Sequence, residues 1–167
     1  FNCASDHSKD SIATMLCQNS EAAKHELIFD QTYYALRSIV GKEGWKGLKV
    51  EVISDDEGLK DCIASPPPDG TLPTADPACY ITKMDAITEK YRQRLSGNAL
   101  QEATRPIDQH IAIQQKLIDL GYLPAGSVAD GVYGESTRQA ISTWQRVSQQ
   151  PNMDGFVSNV EASALLN

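Results

Sequence analysis

The chain has 167 residues, enough for one medium domain or two small ones. Hydrophobic residues make up 41% and charged residues 22%, a globular balance that excludes a disordered chain, and no apolar run approaches the roughly eighteen residues that span a bilayer. The net charge of −7 divides into −4 over residues 1–97 and −3 over the rest, without a Lys/Arg cluster able to neutralise phosphates, which excludes nucleic acid as a partner. An acidic surface serves solubility first and steering toward a basic partner second. The chain opens on Phe1 with neither Met nor an apolar leader, as expected of a processed or trimmed chain whose signal segment is gone.

The first long helix is predicted over Glu21 to Val40, where Ala22, Phe29, Tyr33, Leu36 and Val40 recur at helical spacing and Gly41 supplies a stop. Beyond it, Lys49 to Ile53 has strand-like composition and Leu59 to Ile63 looks helical; the stretch as a whole reads as helix. Ser65 to Pro77 holds five prolines and one glycine, a loop between Cys62 and Cys79. The clearest helix runs from Asp76 to Leu95. Asp76 can cap it, Pro77 suits its first turn, and Tyr80, Met84, Ile87, Tyr91 and Leu95 form one apolar stripe.

All four cysteines, Cys3, Cys17, Cys62 and Cys79, lie in this first region. Their spacings of 13, 44 and 16 intervening residues do not fit a zinc site. Four cysteines allow three pairings, and sequence alone does not choose among them. The local solution, Cys3–Cys17 with Cys62–Cys79, is the expected one. Each closure stabilises by about 3 kcal/mol in the chain-entropy model. Disulfides persist in oxidising compartments, so a periplasmic or secreted location is expected.

Ser96-Gly97-Asn98 ends the first helical pattern and Pro106 opens another, which places a domain over residues 1–97, a linker over 98–105 and a second domain over 106–167. If the two are independent, reduction should weaken the first and spare the second. Three short helices are predicted in the second region. Ile107 to Leu120 carries Ile113, Leu117 and Leu120, with Gly121 as its stop. Glu135 to Gln149 carries Ala140, Ile141, Trp144 and Val147, and Ser158 to Leu166 opens with a Ser158–Glu161 capping box. A weak internal echo precedes the last two helices: Asp130-Gly131-Val132-Tyr133 and Asp154-Gly155-Phe156-Val157. In each, Asp-Gly makes a tight turn and an apolar residue drops into the core.

Read in order, the landmarks Ile113-Gln114, Leu117, Leu120-Gly121-Tyr122, Asp130-Gly131-Val132-Tyr133-Gly134, Thr137, Ala140-Ile141, Trp144-Gln145 and Asp154-Gly155 resemble the peptidoglycan-binding domain of bacterial amidases, lytic enzymes and envelope proteins. Glu135 departs from the Pro frequent there, but a Glu in a first helical turn suits the helix dipole. The resemblance implies a three-helix fold and a sugar- and peptide-binding groove near the Asp130–Thr137 loop. Tyr133, Arg138 and Gln145 are the groups expected to contact a muropeptide, with Asp130 and Thr137 on the loop itself. A purely structural role competes for most of these: Asp130 in a turn, Thr137 at a helix start, Trp144 in the core.

The first region is similar to the LprI-like lysozyme-inhibitor family, through Phe1-Asn2-Cys3, Leu16-Cys17 with Glu21, Cys62, Cys79-Tyr80 and Tyr91. It departs in His25-Glu26, where the family has Leu-Asp, and in the proline-rich loop between its late cysteines. This resemblance implies a protein partner, a lysozyme-like muramidase. The acidic Asp69 and Asp76 of the loop are candidates to approach a basic rim.

No catalytic set is visible. His7, His25 and His110 are scattered without ligand spacing, so neither a zinc hydrolase nor any other metal or cofactor site is expected. The cysteines look paired, leaving no thiolate nucleophile. The run Asp55-Asp56-Glu57 reads as solvated surface rather than a carboxylate pair across a cleft. The expectation is an all-α, non-catalytic, wall-associated protein of two small helical domains, the first disulfide-bonded. The rival readings are a wall-targeting fragment of a larger hydrolase and an envelope scaffold without inhibitory role.

Overall fold

The computed structural model describes residues 2–167, and Phe1 of the LprI-like pattern lies outside them. Helices follow one another as α1 (Ser11–Gln18), α2 (Ser20–Asp56), a 3-10 helix (Glu57–Cys62), α3 (Pro77–Arg92), α4 (Gly97–Thr104), α5 (Ile107–Asp119), α6 (Glu135–Val147) and α7 (Asn159–Leu166). Among the described residues there is no strand, only an isolated bridge between Ile63 and Ala75. The architecture is all-α, as the periodicity predicts.

Local chemistry starts the helices where it should. Asp10 accepts from the Ala13 amide (3.0 Å), Asn19 from Ala22 (2.9 Å) and Asp76 from Ala78 (3.0 Å). Ser158 and Glu161 cap one another's amides, the Ser158–Glu161 box in full. Both disulfides form in the local pattern, Cys3–Cys17 and Cys62–Cys79. The proline-rich loop is closed at its base by that second bridge and by backbone bonds from Ala64 to Thr74 and from Asp76 to Cys62.

Gly41 breaks α2 where the sequence places a stop, and a second helical limb follows it. The backbone leaves helical geometry there (φ 70°, ψ 178°) and then resumes for another fifteen residues to Asp56. Trp45 bridges the break: its indole N–H donates to the Arg37 carbonyl (2.9 Å) and the Arg37 guanidinium lies 3.7 Å over its ring. The strand-like composition of Lys49 to Ile53 is overridden by packing. Leu48 is buried, and the acids of this limb reach α3 through Lys90–Asp55 (3.0 Å) and the residues just past its end through Arg94–Glu51 (3.0 Å). Val50 and Ile53 are left outward, 61% and 54% exposed.

One apolar cluster gathers Leu16, Phe29, Leu36, Leu59, Tyr80, Met84 and Tyr91; a second gathers Ile113, Leu117, Leu123, Tyr133, Ile141, Trp144 and Leu165. Leu120 and Val147, expected on the second core, are exposed at 49% and 61%, and Leu123 takes the core position instead. Leu120 sits at the helix end, where the turn at Gly121 swings the chain so that Leu123 faces inward.

The expected linker is helix α4, with Ala99, Glu102 and Ala103 buried. Phe156 of the second region packs into the first cluster. Glu102, wholly buried, accepts from Arg138 Nη1 (2.7 Å) and from the Val157 amide (3.0 Å), and Gln31 Nε2 donates to its other oxygen (3.3 Å). Gln31 in turn accepts from the Tyr133 amide (2.9 Å). A buried network therefore crosses the boundary that sequence placed between two domains.

Glu102→Ala should leave Arg138 and the Val157 amide buried without their acceptor, at a cost of roughly 3–5 kcal/mol. Trp45 and Trp144 report the first and second regions separately in single-tryptophan variants. Urea titrations should give coincident midpoints for the two reporters in the parent and a common fall in Glu102→Ala. Separate midpoints would mean that the regions unfold independently.

Candidate functional site

The Asp130–Thr137 segment leads into α6 and borders a cleft of about 380 Å³ whose walls include Leu123, Val128, Asp130, Val132, Ser136 and Thr137. The shape of this segment is set by Gln114 of α5. Its Oε1 accepts from the Gly131 amide (2.6 Å), and its Nε2 donates to the Val132 carbonyl (2.9 Å) and approaches Asp130 Oδ1 and Thr137 Oγ1 at 3.3 Å. Asp130 also accepts from the Val132 amide (3.0 Å). Gly131 holds φ 88°, and a Cβ there would meet Ile107 at 3.0 Å, so the position takes glycine on both counts.

The same device recurs one helix later. Gln145 Oε1 accepts from the Gly155 amide (2.9 Å) and its Nε2 donates to the Phe156 carbonyl (2.9 Å), while Asp154 accepts from the Phe156 amide (3.0 Å). Gly155 holds φ 81°. In both loops a buried glutamine from the preceding helix grips the Asp-Gly turn by its two carboxamide atoms. The next amide, Tyr133 or Val157, is taken by a side chain of the first half, Gln31 or Glu102. The echo read in the sequence is thus a repeated clamp.

This arrangement corrects the expected ligand contacts. Tyr133 is 1% exposed, its hydroxyl donating to the His110 carbonyl (3.0 Å). Gln145 is wholly buried and also donates to Glu161 (3.0 Å). Thr137 is buried beside Gln114. Arg138, with 12% of its side chain exposed, lies 4.4 Å over the Phe156 ring and donates to Glu102 and to the Gly155 carbonyl (2.8 Å). Each side chain is drawn inward because a buried backbone amide, carbonyl or carboxylate needs it. Asp130 alone of the five is exposed.

What remains at the surface is the cleft wall that sequence reading did not single out: Val128, 78% exposed, with Glu135 and Ser136. Gly134 has no side chain to cap α6, so the first amides of that helix are left to solvent or to a ligand acceptor. A second cleft of about 390 Å³ shares Asp130 and Val132 and extends to Glu26, Asp30 and Tyr34 of α2.

Burial and the Arg105 guanidinium push His110 down to about 4, so it is a neutral core imidazole, 5.0 Å from the Tyr133 ring. Among the described residues no group of three or more His, Cys, Asp or Glu is placed to hold a metal ion.

Residues 108–165 match the family model of the peptidoglycan binding domain. The match spans α5, α6 and α7 together with both clamped loops, and it supports peptidoglycan binding by this part of the chain. The resemblance of the first region to LprI-like inhibitors gains no such support. No curated protein and no solved structure matches the chain.

Gln114→Ala and Gln145→Ala should each strand a buried glycine amide and a carbonyl, destabilising by roughly 2–4 kcal/mol. Thermal and urea unfolding measure this. A loss below about 0.5 kcal/mol in both would show that the loops hold without their clamps.

Proposed function

We propose that this is a non-catalytic protein of the bacterial periplasm or cell surface that docks on peptidoglycan through the cleft beside Val128, Asp130 and Ser136. Its disulfide-bonded first region engages a protein partner, a lysozyme-like muramidase. The observation that carries the wall reading is the family match over the complete three-helix unit. The cleft adds chemistry suited to a muropeptide: an apolar wall at Leu123 and Val128 for acetyl or methyl groups, and the uncapped α6 amides for a stem carboxylate. Two disulfides fit an extracytoplasmic location, and among the described residues no helix is long and apolar enough to cross a membrane.

The partner reading rests on the first region's acidic balance and on its exposed loop. Tied at both ends, the loop loses less entropy on entering a cleft than a free segment of the same length. Of its two acids, Asp76 is committed to capping α3. Asp69 is outward, although its carboxylate accepts from the Thr71 amide (3.0 Å) and hydroxyl (2.7 Å). A basic enzyme approaching this face should associate faster at low ionic strength.

The full chain should pellet with purified sacculi, and Val128→Glu with Ser136→Glu should weaken pelleting about tenfold without altering the melting temperature. Parent protein that stays in the supernatant at low and moderate salt would sink the wall reading. Unchanged pelleting of the double variant would move the contact off this cleft.

Lysozyme clearing of a cell-wall suspension should slow as the full chain is titrated in, and less so with a variant lacking Pro67 to Leu72, which keeps the Ala64–Thr74 pair and the Cys62–Cys79 bridge. No slowing at tens of micromolar rules out inhibition and leaves wall binding untouched.

A further inference from the structure

One face of α2 looks across at the first clamped loop of the second region. Ala23, Leu27, Asp30 and Tyr34 stand three or four residues apart on that helix and so share a face, and with Glu26 they wall the cleft of about 390 Å³ on one side. Asp130 and Val132 wall it on the other, and the same two residues border the cleft beside Val128 and Ser136. The two clefts therefore adjoin across a single loop. The spacing of the walls is fixed, because Gln31, the neighbour of Asp30, accepts from the amide of Tyr133, the neighbour of Val132, at 2.9 Å. Tyr34 is held as well. Its ring meets Tyr33 edge-on with 5.2 Å between centroids, and the Arg37 guanidinium that covers Trp45 lies 5.5 Å from its centroid. A half-buried aromatic ring is thus pinned in a cleft wall, next to the peptidoglycan-binding domain and outside the residues that match it.

We propose that this cleft between the two regions binds an uncharged sugar ring of the glycan strand, packed against Tyr34, so that the first region adds a saccharide contact to the peptidoglycan-binding domain. The assignment rests on the wall reading and says which part of the polymer goes where. The cleft walls carry carboxyl groups at Glu26, Asp30 and Asp130 and no lysine or arginine. Such a surface repels the carboxylates of a lactyl ether or stem peptide and leaves them to the open α6 amides of the adjoining cleft. A neutral pyranose suits it. The C–H face of the ring is apolar and packs on an aromatic side chain, while its hydroxyls donate to carboxyl oxygens. Leu27 and Val132 are apolar walls for an N-acetyl methyl. The acids are auxiliary to the ring. Burial, and then Glu26, to which it is hydrogen-bonded, push Asp30 up to about 8, so at neutral pH it keeps its proton and its remaining lone pairs are acceptors for sugar hydroxyls.

The probe is chitotetraose, an N-acetylglucosamine oligomer with neither lactyl nor stem carboxylates, titrated calorimetrically into the full chain. It should bind at millimolar concentration or below. Tyr34→Ala should weaken both this binding and pelleting with sacculi about tenfold, whereas Tyr34→Phe, which keeps the ring, should stay within about threefold of the parent. Should Tyr34→Ala melt below the parent, Ala23→Gln takes its place: it puts a longer side chain into the cleft from a helical position where glutamine is well tolerated, and it should weaken binding by the same factor. A parent that does not pellet with sacculi removes the wall reading and this assignment with it. A parent that pellets but does not bind chitotetraose, or full affinity in both Tyr34→Ala and Ala23→Gln, overturns the assignment and leaves the wall reading in place. So does a sugar-free stem peptide that binds in place of chitotetraose and depends on Tyr34, since the occupant would then be peptide.

Discussion

A carboxylate with no solvent exposure must have every oxygen met, and Glu102 is such a group at the centre of the molecule. Meeting it draws in Arg138 from α6, the Val157 amide from the loop before α7, and Gln31 from α2. Once Arg138 is committed there, Phe156 is held beneath its guanidinium and packs into the first region's core. Gln31, held at one end by Glu102, presents its other oxygen to Tyr133. The two halves of the chain are therefore joined by directional bonds as well as by apolar contact. That is why the short α4 between them is a packed helix.

The same demand shapes the candidate wall-binding surface. Gln114 and Gln145 are both consumed in holding Asp-Gly turns, so Gln145, expected to contact a muropeptide, serves a loop instead. Their rigidity has a consequence outside. Val128 and Asp130 of the loop and Ser136 at the open end of α6 flank the clamped turn, which leaves the proposed docking surface little conformational freedom to lose.

In the first region α1, α2, the 3-10 helix and α3 enclose a cavity lined by Glu26, Asp30, Asp56 and Tyr80, in which Asp56 Oδ1 is buried without a hydrogen-bond partner. The acidic run Asp55-Asp56-Glu57 illustrates how poorly composition predicts environment. Asp55 is engaged by Lys90 and the Tyr91 hydroxyl, Asp56 turns into the cavity, and Glu57 pairs with Lys60 at the surface. A run expected to be solvated throughout is fully exposed only at Glu57, with Asp55 and Asp56 half-buried.

Much of the fold was legible from short stretches of chain. Helical periodicity, the Asp76 and Ser158 caps, the disulfide spacing and the ordered landmarks from Ile113 to Gly155 each depend on residues a few positions apart, and the structure and the family match agree with them. Gly41 ends the first helical limb as its position implies, but a single glycine does not say that packing beyond it starts a second limb at once. The site was less legible. Whether Tyr133 faces a ligand or the core depends on Gln31, 102 residues away, and whether Arg138 is free depends on Glu102, in a segment that read as linker. Sequence by itself determined most of the helices, the Asp76 and Ser158 caps and the kind of domain at the C-terminal end, because those follow from local spacing; the choice among the three cysteine pairings needed the structure. Only the tertiary structure decided which polar side chains remain at the surface, because burial of a polar group is settled by the partners that distant elements bring to it.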